Sequence, residues 1–322
     1  MKVLGAMLLA GAMSAAAGAQ AAASVLVQAN ALLQSGEADK AIALLDPLLV
    51  EGGDGAEAHN LKCRVRLSEG SVDAAVSECE KAVSLEPDNA MMHVWLGRAL
   101  GDKADQASFL SAYSLAKRLR GEFEEAVKLD PRNGEALASL GEFDCSAPGV
   151  VGGGLDKAEA VAGQLDKVDP PRAHELHAQI AEQRKDYATA EQELKQAIAV
   201  GPHAAYQWMA LASFYRRRQR WNEMIAAVRS GESAARRDKR AAVALYNGAS
   251  TLVRANKELP LAARMLEEYV ASPNKTEEGP AFVAYARLAR VNQQLGDKAA
   301  ADRDLAAASA LAHDYNPQGR KH

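Results

Sequence analysis

The chain has 322 residues, of which 48% are hydrophobic and 5% aromatic, and its formal net charge is −4. The hydrophobic fraction is large enough for an extensive core and excludes a wholly disordered chain. The acidic balance excludes a general nucleic-acid binder, which needs a basic excess. Abundant alanine with few aromatic residues favours closely packed helices over sheets, because alanine forms helices best and lets helix axes approach.

The first 21 residues have the pattern of an export signal. Lys2 precedes an uncharged stretch over residues 3–17 that is rich in Ala, Leu, Met and Gly. Small residues at Ala17, Ala19 and Ala21 then offer cleavage sites. An uncleaved anchor helix is the alternative, but the apolar run is short of the about 20 residues that span a bilayer. The sequence therefore predicts a signal peptide over 1–21, no later membrane span, and a secreted, periplasmic protein.

From residue 22 to 313 the sequence repeats a pair of helices. Four positions align as anchors of the repeat: Gly36, Gly70, Lys185 and Gly296. The residue five positions after each anchor is an alanine, at Ala41, Ala75, Ala190 and Ala301. A small residue there lets a second helix approach the first, and apolar residues four positions later continue its buried face. Pro87 and Pro202 end two of these second helices. The pattern predicts an all-α chain of about eight helical hairpins.

The first helix of each pair is clearest between residues 208 and 215. Trp208, Leu211, Ala212 and Tyr215 resemble the Trp-x2-Leu-Gly-x2-Tyr helix of the tetratricopeptide repeat, with Ala in place of Gly. The Ala-x3-Leu spacing and the terminal proline resemble its second helix. This resemblance implies a right-handed α-α superhelical solenoid over residues 22–313, followed by a tail over 314–322. An Ala-Ser-Phe-Leu segment at 107–110 and a Pro-Gly-x-x-Gly-Gly loop at 148–153 resemble those of exported bacterial tetratricopeptide proteins.

Two insertions break the repeat. Residues 101–119 include Phe109, Leu110 and Tyr113, which predict a helical extension. Residues 147–154 are a glycine-rich loop. Insertions in solenoids usually lie on one face, often the binding face. Tolerated loop growth is the alternative, since longer loops cost little free energy.

Sequence motifs for catalysis, metal binding or phosphate binding are mostly absent. His174 and His177 flank Glu175 and Leu176, but their i, i+3 spacing differs from the i, i+4 spacing of a zinc-protease helix. They occupy the Trp and Leu positions of a repeat, which favours packed histidines over a metal site. The glycine-rich loop lacks the Lys and Ser/Thr of a phosphate-binding loop. The sequence predicts no enzyme and no cofactor.

Three cysteines are an odd number for an exported protein. Cys63 and Cys79 face the same helix interface. They either form a disulfide or remain unbonded as two small buried side chains. Cys145 precedes the glycine-rich loop as a candidate free thiol. The sequence alone does not decide between the disulfide and the unbonded pair.

The resemblance also implies where a partner binds, because first helices line the concave surface of a tetratricopeptide array. The residues in its exposed positions are Asn60, Arg64, Arg98, Glu142, Gln179, Tyr206, Ser213, Arg216 and Arg217. Arg64 and Arg98 occupy equivalent positions in consecutive repeats, so their guanidiniums are expected to be neighbours that hold a carboxylate or phosphate. Solvated surface arginines are the alternative. The Asn/Lys set of the carboxylate-clamp subfamily is not reproduced.

Residues 216–240 contain nine basic and three acidic residues. This stretch predicts a positive patch for an acidic protein or an anionic lipid headgroup. Arginines that favour helix C-termini are the alternative.

The pattern as a whole predicts an exported scaffold that binds a protein or peptide along an open concave groove. The first alternative is a binding module for anionic envelope components through residues 216–240. An enzyme with a site in the insertions is a further alternative that no motif supports.

Overall fold

The computed structural model describes the backbone of residues 4–50 and 55–315, with side chains described from residue 20 and not at position 50. Within these ranges the chain forms sixteen α-helices and no strand. In chain order, α1 to α16 span Leu4–Ser35, Ala38–Val50, Ala56–Glu69, Val72–Leu85, Ala90–Gln106, Phe109–Leu129, Gly134–Ser146, Leu155–Leu165, Pro170–Gln183, Tyr187–Val200, Ala204–Arg217, Trp221–Arg237, Val243–Ala255, Leu259–Ala271, Ala281–Leu295 and Lys298–Leu311. They pack as eight consecutive hairpins, so the predicted all-α architecture of about eight hairpins is confirmed.

The sequence anchors are the residues that end the first helices. Gly36, Gly70, Lys185 and Gly296 all have positive φ angles, between 64° and 88°. A left-handed residue directly after a helix lets the chain reverse and satisfies the last carbonyl groups. Gln219 and Asn256 have φ angles of 57° and 51° and end α11 and α13 in the same way. The repeat in the sequence is therefore a repeat of left-handed helix caps.

A disulfide joins the two helices of the second hairpin. Cys63 in α3 and Cys79 in α4 have a Cα–Cα distance of 5.3 Å and form a bond between their sulfur atoms. This settles the open pairing in favour of a disulfide. Cys145 is a buried free thiol.

The array closes on itself, which the repeat pattern does not predict. One hydrophobic cluster contains residues of α1–α3 and of α9–α16 but none of α4–α8, so the two ends of the chain pack together directly. A Cβ at Gly36 would lie 2.1 Å from the Ala281 nitrogen, which shows how closely the first hairpin approaches α15. Arg66 pairs with Asp314 at 2.8 Å, and the Asp39 carboxylate accepts a hydrogen bond from the His313 backbone nitrogen. The concave surface is thus the inside of a ring.

The predicted signal peptide and tail are described only in part. Residues 1–3 and 316–322 are outside the described residues. The first buried side chain described in α1 is Ala29, followed by Leu33. The signal peptide over 1–21 stays a prediction. Among the helices searched in the described part of the chain, none combines the length and apolar character needed to cross a membrane.

Both insertions have defined structure. Residues 101–119 form the adjoining ends of α5 and α6, where Leu115 packs on the core while Phe109 and Leu110 are exposed. The loop over 147–154 contains a single 3-10 turn, Gly149–Val151. The Gly154 nitrogen then donates to the Asp144 carbonyl at 2.8 Å and returns the chain to the array.

Candidate binding groove

A large cavity lies on the inner surface of the ring, where the first helices α9, α11, α13 and α15 stand side by side. Its volume is about 830 Å³, within the range of sites that hold small molecules or peptide segments. Its polar lining includes Tyr206, Gln207, Ser213, Asn247, Ser250 and Thr251. We call this cavity the inner groove.

The inner groove presents hydrogen-bonding groups on neighbouring helices. Ser213 of α11 and Thr251 of α13 have their hydroxyl oxygens 3.4 Å apart. Asn247 donates to Glu278 at 2.8 Å and so retains its carbonyl oxygen as an acceptor. Gln207 donates to Glu175 at 3.2 Å, while its own Oε1 is buried and has no hydrogen-bond partner among the described residues. These groups give the groove unused donors and acceptors for a ligand.

Glu175 is the central acid of the inner surface. Burial raises the pKa of its carboxyl to about 7, against the opposing effect of the hydrogen bond from Gln207. Glu142, on α7, faces the same space, and the protein around it raises its pKa as well although its side chain reaches solvent. The groove therefore carries less negative charge near neutral pH than its acidic residues suggest.

Two arginines line one end of the inner groove, and a third lies beside one of them. Arg254 and Arg287 line the cavity, and Arg216 lies beside Arg254. Burial, and then the charges of Arg254 and Arg217, lower the pKa of the Arg216 guanidinium. The Nε of Arg216 is buried and unpartnered within the described structure. Arg287 donates to the Ser250 hydroxyl and stacks on Tyr246 with 4.6 Å to the ring centre.

The structure places most of the predicted binding residues along this inner surface. Tyr206 and Ser213 line the inner groove itself. Gln179 and Arg217 line an adjoining cavity of about 200 Å³, and Arg98 and Glu142 line another of about 190 Å³. Glu175 lies at all three, so the three cavities form one continuous surface. Asn60 is buried in α3, and its Nδ2 has no partner among the described residues.

Arg64 and Arg98 are neighbours, since their guanidiniums lie 5.0 and 4.7 Å from the ring centre of Trp95. Each already binds a carboxylate of the chain itself. Arg64 pairs with Glu277 at 2.6 Å, and Arg98 pairs with Glu135 at 2.7 Å. Both guanidiniums are therefore already paired with carboxylates of the chain itself.

The basic stretch over residues 216–240 is mostly neutralised. Its arginines pair with acids of neighbouring helices or turns, in Arg217–Glu182, Arg220–Glu191, Arg236–Glu268 and Arg240–Asp238. Arg218 stacks on Tyr187 at 4.1 Å from the ring centre. These contacts offset most of the positive charge that the sequence predicts there.

The histidines connect the two helices within a hairpin. His93 of α5 binds Glu122 of α6 at 2.7 Å, and His174 of α9 binds Glu193 of α10 at 2.7 Å. His59 makes the equivalent bond to Glu78. In three hairpins, therefore, a His–Glu bond joins the two helices, with His at the position where the tetratricopeptide repeat has Trp. In the described part of the chain, no three or more His, Cys, Asp or Glu side chains are grouped as a metal site.

The residues that the sequence did not reveal come mainly from α13. Asn247, Ser250, Thr251 and Arg254 line the groove but belong to a hairpin that lacks the Trp and Leu positions of the repeat. Its one recognisable signal is Asn256, the left-handed cap that ends the helix. Aligning that cap with the other anchors places Thr251 and Arg254 on the inner face.

Comparison with solved structures identifies the architecture. No protein-family model matches the chain, and no curated protein matches it significantly. A tetratricopeptide protein of Thermus thermophilus, TTC0263, is 20% identical with a TM-score of 0.51, over 60% of this chain and 98% of that one. Yeast Tom70 is 16% identical with a TM-score of 0.54, over 88% of this chain but 57% of Tom70. The chain therefore has the fold of tetratricopeptide-repeat proteins.

Proposed function

We propose that this protein is a scaffold that binds a segment of a partner protein or peptide in the inner groove. The observation that carries the proposal is the cavity of about 830 Å³ on four adjacent first helices, lined by polar side chains with unused hydrogen-bonding capacity. An extended peptide exposes a backbone donor and acceptor at every residue, so a row of hydroxyl and amide groups suits it. The fold supports an interaction scaffold in general terms, by analogy.

Export to the periplasm is part of the proposal. It is supported by the signal-like residues 1–21 and by the disulfide between Cys63 and Cys79, since disulfides persist in oxidising compartments. N-terminal sequencing of protein recovered from the periplasm should read from residue 20 or 22. A soluble protein that keeps Met1 and stays in the cytoplasm would rule out export.

Binding of an anionic envelope component through residues 216–240 is the weaker alternative. Most arginines in that stretch already bind carboxylates. A lipid headgroup would have to displace those internal partners and would lose affinity accordingly.

Selection from a displayed peptide library tests groove binding. Ala210 lines the inner groove, so Ala210→Trp fills it, whereas Ala199→Trp places the same side chain at an exposed position on α10. Peptides selected on the wild type should bind Ala199→Trp equally and lose at least about tenfold in affinity for Ala210→Trp. Peptides that bind all three proteins equally, or a library that yields no binder, would contradict the proposal.

A further inference from the structure

We infer that the end of the inner groove lined by Arg254 and Arg287, with Arg216 beside Arg254, binds the carboxylates of an acidic peptide segment. The inference rests on the proposed function and names the chemical class of its partner. Its basis is a pair of arginines, Arg254 and Arg287, that line one cavity, with Arg216 beside Arg254. None of the three has an acidic partner among the described residues.

The three arginines come from adjacent first helices. Arg216 follows Ser213 by three residues in α11, and Arg254 follows Thr251 by three residues in α13. Residues three apart lie on the same face of a helix. The Ser213 and Thr251 hydroxyls meet at 3.4 Å, so Arg216 and Arg254 hold equivalent positions on two neighbouring helices, and the charge of Arg254 acts on Arg216. Arg287 of α15 lines the same cavity beyond Arg254.

None of the three has a carboxylate within ion-pair distance among the residues that the structure describes. Arg217 offers the contrast in the same helix, because its Nε and Nη2 donate to Glu182 at 2.9 and 2.7 Å. Arg254 is exposed and makes no hydrogen bond or ion pair there. Arg287 has only the Ser250 hydroxyl and the face of Tyr246. Like charges held together without a counter-charge attract an anion.

The buried Nε of Arg216 strengthens the case. A buried donor without a partner costs free energy, which an incoming acceptor recovers. A carboxylate oxygen between Arg216 and Arg254 would accept from both guanidiniums and relieve their repulsion. The neighbouring Ser213 hydroxyl provides a further donor to the same anion, whereas the Thr251 hydroxyl already donates to the Asn247 carbonyl at 3.0 Å.

The acidic side chains that line the cavity already have hydrogen-bond or ion-pair partners within the chain. Glu278 accepts from Asn247 at 2.8 Å, and Asp169 lies 3.5 Å from Arg172. Glu175 accepts from Gln207. These three acids therefore already have partners within the chain, and none of them lies within ion-pair distance of Arg254 or Arg287 among the described residues.

The spacing favours a peptide over a small free anion. Packed helices lie about 8–10 Å apart, so α11, α13 and α15 present their arginines over roughly 16–20 Å. An extended peptide of five or six residues covers that span at about 3.3 Å per residue. Several carboxylates on one chain can then occupy the site together, whereas a single small acid reaches only part of it.

Fluorescence anisotropy with labelled hexaglutamate, and with hexaglutamine as the uncharged probe, tests the inference. Arg254→Gln removes an exposed guanidinium that has no internal bond among the described residues, so the variant should fold like the wild type. Arg303→Gln removes an exposed arginine from α16 and serves as the matched control. We expect hexaglutamate to bind the wild type and Arg303→Gln alike, and Arg254→Gln about ten- to hundredfold more weakly. Hexaglutamine and citrate should bind much more weakly than hexaglutamate.

Three results would overturn the inference: equal binding of hexaglutamine, equal loss in Arg303→Gln, or citrate that binds as tightly as hexaglutamate. The proposed function can be judged separately with the library peptides. If hexaglutamate does not bind while neutral library peptides bind the wild type and lose affinity for Ala210→Trp, the acidic partner is wrong and groove binding stands. If neither binds, both proposals fail.

Discussion

Arg64 and Glu277 are 213 residues apart in the sequence, and their side chains form a two-point ion pair. Arg64 Nε donates to one carboxylate oxygen at 2.9 Å and Nη2 donates to the other at 2.6 Å. Gln34 adds a hydrogen bond to the same carboxylate at 3.1 Å, and its own Oε1 accepts from the Glu277 backbone nitrogen. The pair joins α1 and α3 to the segment before α15 and so holds the two ends of the array together.

Replacing Glu277 should loosen this closure. The side chains of Arg64 and Glu277 are only 13% and 21% exposed, so Glu277→Gln leaves a partly buried guanidinium without its counter-charge. We expect the free energy of unfolding to fall by about 1–2 kcal/mol, measured by urea denaturation. Glu267→Gln, at an exposed acid of α14, should change it little. Equal stability of the two variants would mean that the pair does not hold the ring closed.

The disulfide gives a second prediction. Thiol titration of the denatured, unreduced protein should find one free thiol, that of Cys145. Cys63→Ala should lower the free energy of unfolding by about 2–4 kcal/mol, because the 16-residue separation between the cysteines is then unconstrained in the unfolded chain. Adding reductant to the wild type should have a similar effect. Three free thiols in the unreduced protein would contradict the structure.

Two glycines provide a matched pair that tests the packing between helices. A Cβ at Gly97 would lie 2.3 Å from the Phe123 ring, while a Cβ at Gly121 would meet nothing within 4 Å. Gly97→Ala should therefore destabilise the protein by about 1–3 kcal/mol through overpacking. Gly121→Ala should stabilise it by about 0.5–1 kcal/mol, because alanine favours an exposed helix interior. Thermal unfolding followed by circular dichroism distinguishes the two, and equal shifts would mean that α5 and α6 pack differently.

The hairpins could be predicted from the sequence because their signals are local. The left-handed caps at Gly36, Gly70, Lys185 and Gly296 recur with the alanines that follow them, and both depend on contacts within one hairpin. Ring closure has no such signal. It depends on Glu277, a loop acid that meets Arg64 only after all eight hairpins have stacked.

The candidate site was only partly predictable for the same reason. Tyr206 and Ser213 follow from the clearest copy of the repeat, and both line the inner groove. Whether an arginine there is available to a ligand depends on its neighbours. Arg64 and Arg98 have internal carboxylates, whereas Arg216 has none within ion-pair distance in the described residues, and the repeat pattern does not distinguish them.

The acid at the centre of the groove should make stability depend on pH. Burial raises the pKa of Glu175 to about 7 in the folded protein, above the ordinary value near 4.5 that the unfolded chain retains. Below about pH 4.5 the carboxyl is protonated in both states and costs nothing. As the pH rises from about 4.5 through 7, the unfolded chain ionises this carboxyl before the folded protein does, because burial and the charges of Glu142 and Asp169 outweigh the Gln207 hydrogen bond and the charge of Arg172. Stability is therefore lost over this range.

Glu175→Gln isolates this effect, because an amide has the shape of the protonated carboxyl. We expect the variant to unfold like the wild type at pH 5 and to be more stable by about 1–3 kcal/mol at pH 8, by urea denaturation at both pH values. Since His93, with its pKa raised by Glu122, also loses stability as the pH rises, the comparison must be with the wild type at the same pH. A difference that is equal at both pH values would show that Glu175 ionises normally in the groove.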